Sequence, residues 1–131
     1  MKYELLNGSN LSYIGDAYYE LEIRKYLINK NITKSKELQK ICIEFVSASA
    51  QAYIFETLKD EFTEEEMNVY LRGRNGAHLN RRKNLDGSEY IMASGYEAII
   101  GYLYLKNDTK RLEEIINKSI EIVVKKNGYI W

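Results

Sequence analysis

Two acidic residues stand where a helical sequence does not ordinarily put them. In Tyr13-Ile14-Gly15-Asp16-Ala17-Tyr18-Tyr19-Glu20, a glycine and an aspartate sit side by side inside a segment otherwise patterned as a core helix. Mid-helix glycine costs about 1 kcal/mol relative to alanine. Aspartate is a poor neighbour for it, because its carboxylate competes for nearby backbone groups. Breaches of local preference of this kind gather where function overrides stability. A missing side chain at Gly15 would open the space beside Asp16 to a metal ion or a phosphate backbone. Glu20, one turn further on, shares a face with Asp16 and either orients it or a bound water, or simply faces solvent. The plain alternative for Asp16 itself is a solvated carboxylate.

The second acid is Glu97, in Ser94-Gly95-Tyr96-Glu97-Ala98-Ile99-Ile100-Gly101-Tyr102, with no other acid between Glu89 and Asp108. Its helical neighbours Ala93, Ile100 and Gly101 are small or apolar. A carboxylate in that company is either half-buried with a raised pKa or paired with a cation. An arginine partner would make a structural ion pair; a divalent ion would make a site. Magnesium keeps several waters and takes one or two protein carboxylates together with substrate phosphate oxygens. Asp16 and Glu97, brought together from two helices, satisfy that requirement.

The third feature is basic. Arg72-Gly73-Arg74-Asn75-Gly76-Ala77-His78-Leu79-Asn80-Arg81-Arg82-Lys83 carries five full positive charges and no acid. The planar fork of arginine suits phosphate oxygens, and glycines let backbone N–H groups approach them. Such a segment can address the phosphates and 2′-hydroxyls of helical RNA; its plain alternative is a solvated loop. His78 has no second histidine to join it in holding a metal and reads as an exposed loop residue.

Helical periodicity must supply the frame that positions these groups. Leu11, Ile14, Tyr18 and Leu21 predict an apolar stripe on a helix from about Ser9 to Asn29. Leu38, Ile41, Cys42 and Phe45 start a second stripe; Ala48, Ala52 and Phe55, with Ile54 and Leu58, continue it or begin a third helix. Thr63-Glu64-Glu65-Glu66 is a capping box opening a short helix expected to stop near Gly73. Residues 73–87 then read as a loop. A long helix follows from about Ser88 to Lys106. Asp108 caps the last helix, which buries Leu112, Ile115, Ile116, Ile120 and Val123 and ends at Asn127-Gly128. The expected fold is all-α, about six helices, in one domain spanning residues 1–131. Most of the 12 tyrosines fall on apolar stripes, which gives them packing roles.

Composition narrows the class. The 19 Lys and Arg balance 19 Asp and Glu, which argues against coating nucleic acid by bulk charge and throws the weight onto the local basic segment. At 45% hydrophobic and 29% charged, the chain is expected to be soluble and globular. Its single cysteine, Cys42, forms no internal disulfide and reads as a core residue. With no secretory signal, it points to the cytoplasm. No apolar stretch approaches the length of a bilayer span.

Taken together, the motifs resemble the ribonuclease III family. Leu11-Ser12-Tyr13-Ile14-Gly15-Asp16-Ala17 looks like its signature helix, and Tyr96-Glu97-Ala98-Ile99-Ile100-Gly101 like its second acidic motif. Val46-Ser47-Ala48 with Gln51-Ala52, and Arg72-Gly73-Arg74-Asn75, are similar to stretches of the compact Mini-ribonuclease III branch. Order and spacing agree from about Leu6 to Leu105. The resemblance implies a helical endonuclease domain acting as a homodimer on double-stranded RNA, with Mg2+ as cofactor and Mn2+ as a substitute. It implies hydrolysis to 5′-phosphate and 3′-hydroxyl ends, and the maturation of large-subunit (23S) ribosomal RNA precursors, with a ribosomal protein presenting the substrate. It makes Asp16 and Glu97 the catalytic metal ligands, and Arg72, Arg74, Asn75, Arg81, Arg82 and Lys83 the RNA contacts. Further acids of the longer enzymes fall here on Ser9, Ser12 and Ser94, and a catalytic domain without a C-terminal RNA-binding domain is expected. Two other classes stay open at this point. One is a non-catalytic RNA- or ribosome-binding dimer of the same fold; the other is a small helical metal hydrolase acting on nucleotides.

Overall fold

A computed structural model of the chain describes residues 2–80 and 87–131. Among the described residues six α-helices follow one another: α1 Gly8–Asn29, α2 Ser35–Val46, α3 Ala48–Leu58, α4 Glu64–Asn80, α5 Gly87–Leu105 and α6 Thr109–Asn127. Short 3-10 turns at Tyr3–Leu5 and Lys59–Glu61 accompany them, and no strand occurs among the described residues. The all-α expectation holds.

Local chemistry sets most helix ends. Asn7 caps α1 by accepting from the Asn10 N–H at 2.8 Å. Ser47 ends α2 and caps α3, so the apolar run from Leu38 to Leu58 is two helices rather than one. The Thr63–Glu66 box forms in both directions: Glu66 N–H donates to the Thr63 hydroxyl at 3.0 Å, and Thr63 N–H donates to the Glu66 carboxylate at 2.9 Å. Asp108 accepts from Arg111 N–H at 3.3 Å, and Gly128 closes α6 in the left-handed region at φ 70°.

The core is built around α5, which packs against α1, α3, α4 and α6. Its buried positions run almost without a break from Ala93 to Leu103, only Glu97 interrupting them. Tyr96 is fully buried and hydrogen-bonds the Ser119 hydroxyl on α6 at 2.7 Å, while its ring meets Tyr19 of α1 edge-on at 5.5 Å. That fixes the rotation of α5 and, with it, the direction taken by its neighbour Glu97.

Two expectations are corrected here. The buried stripe of α1 is Leu11, Gly15, Tyr19, Ile23 and Leu27, not Leu11, Ile14, Tyr18 and Leu21; Leu21 is 58% exposed. The stripe turns because Gly15 is a contact position in its own right. A Cβ built there would lie 1.8 Å from the Glu97 carbonyl oxygen, and one on Gly101 would lie 2.0 Å from the Leu11 carbonyl oxygen. No side chain fits, and α1 and α5 touch backbone to backbone. The space that Gly15 leaves therefore belongs to the neighbouring helix rather than to a metal or a phosphate.

The second correction concerns residues 73–80. They are the last turns of α4 and not a loop, and α4 does not stop at Gly73. A Cβ at Gly73 would sit 2.5 Å from Ala98 Cβ and 2.8 Å from the Ser94 carbonyl oxygen. The glycine marks a close crossing of α4 over α5, and packing against a buried helix outweighs its low helix propensity.

Replacing Gly15 with alanine is therefore expected to destabilise the protein by about 1–3 kcal/mol or more, the range for overpacking a tight contact. Urea denaturation is the check; an unchanged midpoint would mean that the two helices separate at little cost.

Candidate active site

Asp16 projects from α1 and Glu97 from α5, next to the Gly15–Gly101 contact that draws the two helices together. The Asp16 carboxylate is near enough to act electrostatically on Glu97. Both line a cleft of about 280 Å³ with Ser9, Ser12, Tyr13, Gly73, Ala77, Tyr90 and Ser94. Elements α1, α4 and α5 thus supply the walls. Beside the acids, the Ser12 hydroxyl donates to the Ser94 carbonyl at 2.6 Å and pins α1 to α5 a second time.

Glu97 is half-buried, and its carboxyl is pushed up to about 9, first by burial and then by the Asp16 carboxylate beside it. A hydrogen bond from the Gln51 amide, 3.2 Å from Oε2, works in the opposite direction. Glu97 is thus half-buried, and no arginine pairs with it among the described residues. No arginine or lysine lines the cleft among the described residues, and no cluster of three or more potential His, Cys, Asp or Glu ligands occurs among them. Among the described residues the donor set is two carboxyls with no counter-charge in the cleft. That suits a hard divalent ion that completes its shell with waters and substrate oxygens.

The other candidates fall elsewhere. Glu20 accepts from Arg24, with Nε to Oε2 at 2.9 Å, and lines a separate groove between α1 and α2. It neither enters the cleft nor orients Asp16. Arg72 donates to the main-chain oxygens of Leu6 and, at 3.4 Å, Glu4, tying α4 to the segment before α1. Arg74 is half-buried, and its guanidinium is 3.5 Å from the Asn75 amide oxygen. Both lie on α4, beside Gly73 and one turn from Ala77, the residues that this helix gives to the cleft. Arg81, Arg82 and Lys83 lie outside the described residues, as does the His78 side chain. Cys42 is buried, and burial raises its thiol pKa, as for an inert core cysteine. Sequence reasoning gave no site role to Gln51, which is 1% exposed. Its signals are its place in the Gln51-Ala52 stretch that resembles the compact branch and an amide on the buried face of α3.

The geometry is that of an all-α fold with two carboxyls in one cleft, and comparison with known proteins defines it further. The model of the ribonuclease III domain matches residues 9–108, so the chain belongs to the ribonuclease III family and is an endoribonuclease of that type. Within the family it is similar to proteins named Mini-ribonuclease 3. The one from Clostridium tetani is 45% identical over 118 residues, 89% of this chain and 78% of that protein. The one from Enterococcus faecalis is 42% identical over 127 residues, 95% of this chain and 96% of that protein. Among solved structures, protein FN1578 from Fusobacterium nucleatum superposes with a TM-score of 0.78 at 30% identity, covering 94% of this chain and 95% of that one.

The raised Glu97 carboxyl has a stability consequence with a definite sign. Its folded pKa of about 9 lies above the ordinary value of 4.5. The folded metal-free protein therefore holds a proton that the unfolded chain releases, and stability falls as pH rises between those limits. Glu97→Gln removes that penalty. In a chelator, thermal denaturation should show the variant gaining on the wild type from pH 5 to pH 9, by on the order of 1 kcal/mol or more at the upper end. A difference that stays flat with pH would contradict the burial of this group.

Proposed function

We propose that the chain hydrolyses double-stranded RNA as a homodimer, with a divalent ion held between Asp16 and Glu97. The observation that carries this reading is the uncompensated pair of carboxyls facing one cleft. Mg2+ is the expected ion, with Mn2+ able to replace it. When bound, such an ion lowers the pKa of a water ligand and offsets charge developing at phosphorus. Cleavage on the ribonuclease III pattern leaves a 5′-phosphate and a 3′-hydroxyl.

The chain's own groups divide the remaining tasks. Asp16 and Glu97 supply the negative charge, and Glu97 gives up its proton when the ion binds, so affinity rises with pH toward 9. The Ser12–Ser94 bond holds the two helices at the spacing the pair requires. Tyr13 and Tyr90 form part of the cleft wall against which a strand would lie. Arg74 and Asn75 on α4, and Arg81, Arg82 and Lys83 beyond it, are the groups assigned to RNA phosphates and 2′-hydroxyls. Arg72 joins them only through whatever donors its bonds to the N-terminal segment leave available.

Support for the dimer comes from apolar side chains left facing outward. Leu21 is 58% exposed and Ile28 53% on one side of α1, and Ile43 is 54% exposed on α2 across the adjoining groove. An isologous pair would cover such a strip and present two clefts to the two strands of a duplex. No helix of the described residues is long and apolar enough to cross a membrane. The cellular reading is a cytoplasmic enzyme maturing 23S ribosomal RNA precursor ends, with a ribosomal protein presenting the substrate.

Asp16→Asn and Glu97→Gln should each lower Mg2+-dependent cleavage of duplex RNA by more than about a hundredfold, the upper cost of losing even an outer-shell partner. Near-wild-type cutting by either would refute the assignment. The triple change Arg81, Arg82 and Lys83 to Ala should weaken duplex binding and lower its salt slope by about one unit per lost phosphate contact. Unchanged affinity and slope would place that segment away from the RNA.

A further inference from the structure

Gln51 sits on α3, which contributes no residue to the cleft, yet it touches one of the two acids. Its side chain is almost completely buried. The amide nitrogen has two hydrogens, and both are used. One goes to the Val46 carbonyl at 3.0 Å, the other to Glu97 Oε2 at 3.2 Å. The amide oxygen is buried with no partner.

This arrangement has only one sensible orientation. Rotating the amide by half a turn would place its oxygen against the Val46 carbonyl oxygen, which is never a donor, and against Glu97. Val46 closes α2, whose last carbonyls lack helical partners. The backbone end of α2 therefore locks the amide, and the locked amide aims its second N–H at Glu97. A merely space-filling residue here would be apolar. An unpaired buried amide oxygen carries a desolvation cost that a leucine of similar size would not.

We propose that Gln51 is a positioning residue for the metal site: anchored on the Val46 carbonyl, it holds one oxygen of Glu97 in place for a divalent cation. It touches neither substrate nor ion. Its effect passes through Glu97, as outer-shell donors orient carboxylate ligands elsewhere. The proposal rests on the reading of Asp16 and Glu97 as metal ligands.

The test is Mn2+ titration followed by electron paramagnetic resonance on the full chain, wild type beside Asp16→Asn and Gln51→Leu, with helical content checked by circular dichroism. The expected result is that wild type binds Mn2+, that Asp16→Asn loses binding, and that Gln51→Leu binds about ten- to a hundredfold more weakly. In cleavage assays Gln51→Leu should need correspondingly more Mg2+ for half-maximal rate, with KM for duplex RNA within about twofold and the shortfall shrinking as Mg2+ is raised. A folded Gln51→Leu with wild-type Mn2+ affinity overturns the role of Gln51 and leaves the metal site standing. Equal binding by wild type and Asp16→Asn, or none by either, overturns the metal site and this role with it. Should Gln51→Leu not fold, Gln51→Met, unbranched and of similar length but lacking the donor, carries the same comparison.

Discussion

The backbone contact between α1 and α5 is the constraint on which the rest depends. Helix axes ordinarily stand 8–10 Å apart because side chains intervene. At Gly15 and Gly101 none does, and each glycine faces a main-chain carbonyl of the other helix. Every nearby feature follows from that closeness: the Ser12–Ser94 hydrogen bond, the meeting of Asp16 with Glu97, and a cleft shallow enough for α4 to wall with Gly73 and Ala77. Helix propensity is given up at two glycines for about 1 kcal/mol each. The return is a placement of two acids that no arrangement of larger residues at those positions would give.

That placement is unfavourable in the protein taken alone. Burial and the neighbouring charge both oppose ionisation of Glu97, and among the described residues the amide of Gln51 favours it. The surrounding structure holds the pair nonetheless, through the buried Tyr96–Ser119 and Tyr19–Phe45 hydrogen bonds that fix α5 and α1 in rotation. A carboxyl held against ionisation in a cleft is a mark of functional sites. The stabilising ion pairs lie elsewhere: Arg111 joins Glu66 at the start of α4 and holds α6 in place without entering the cleft.

The sequence disclosed most where a few neighbouring residues decide the outcome. The Thr63–Glu66 box, the Asp108 cap, the Gly128 terminator and the stripes of α2 and α6 are local patterns, and all formed. The two acids were legible as oddities of type and context. What stayed hidden depended on partners distant in the chain. Gly73 carries the same letter whether it ends a helix or admits a neighbouring one, and only Ala98 and Ser94 across the contact decide between them. Gly15 was legible as unusual, but its use in packing rotated the buried face of α1 away from the more apolar Ile14, Tyr18 and Leu21. Gln51 was hardest of all, because one of its partners is five residues away and the other 46.

The central claim, that Asp16 and Glu97 share one divalent ion, is tested most directly by anomalous scattering from crystals grown with Mn2+. The account predicts a peak between α1 and α5 with an oxygen of each carboxyl at about 2.1 Å, the distance for small hard cations. A peak held by only one of the two acids, or an ion bound elsewhere with the cleft empty, would contradict it.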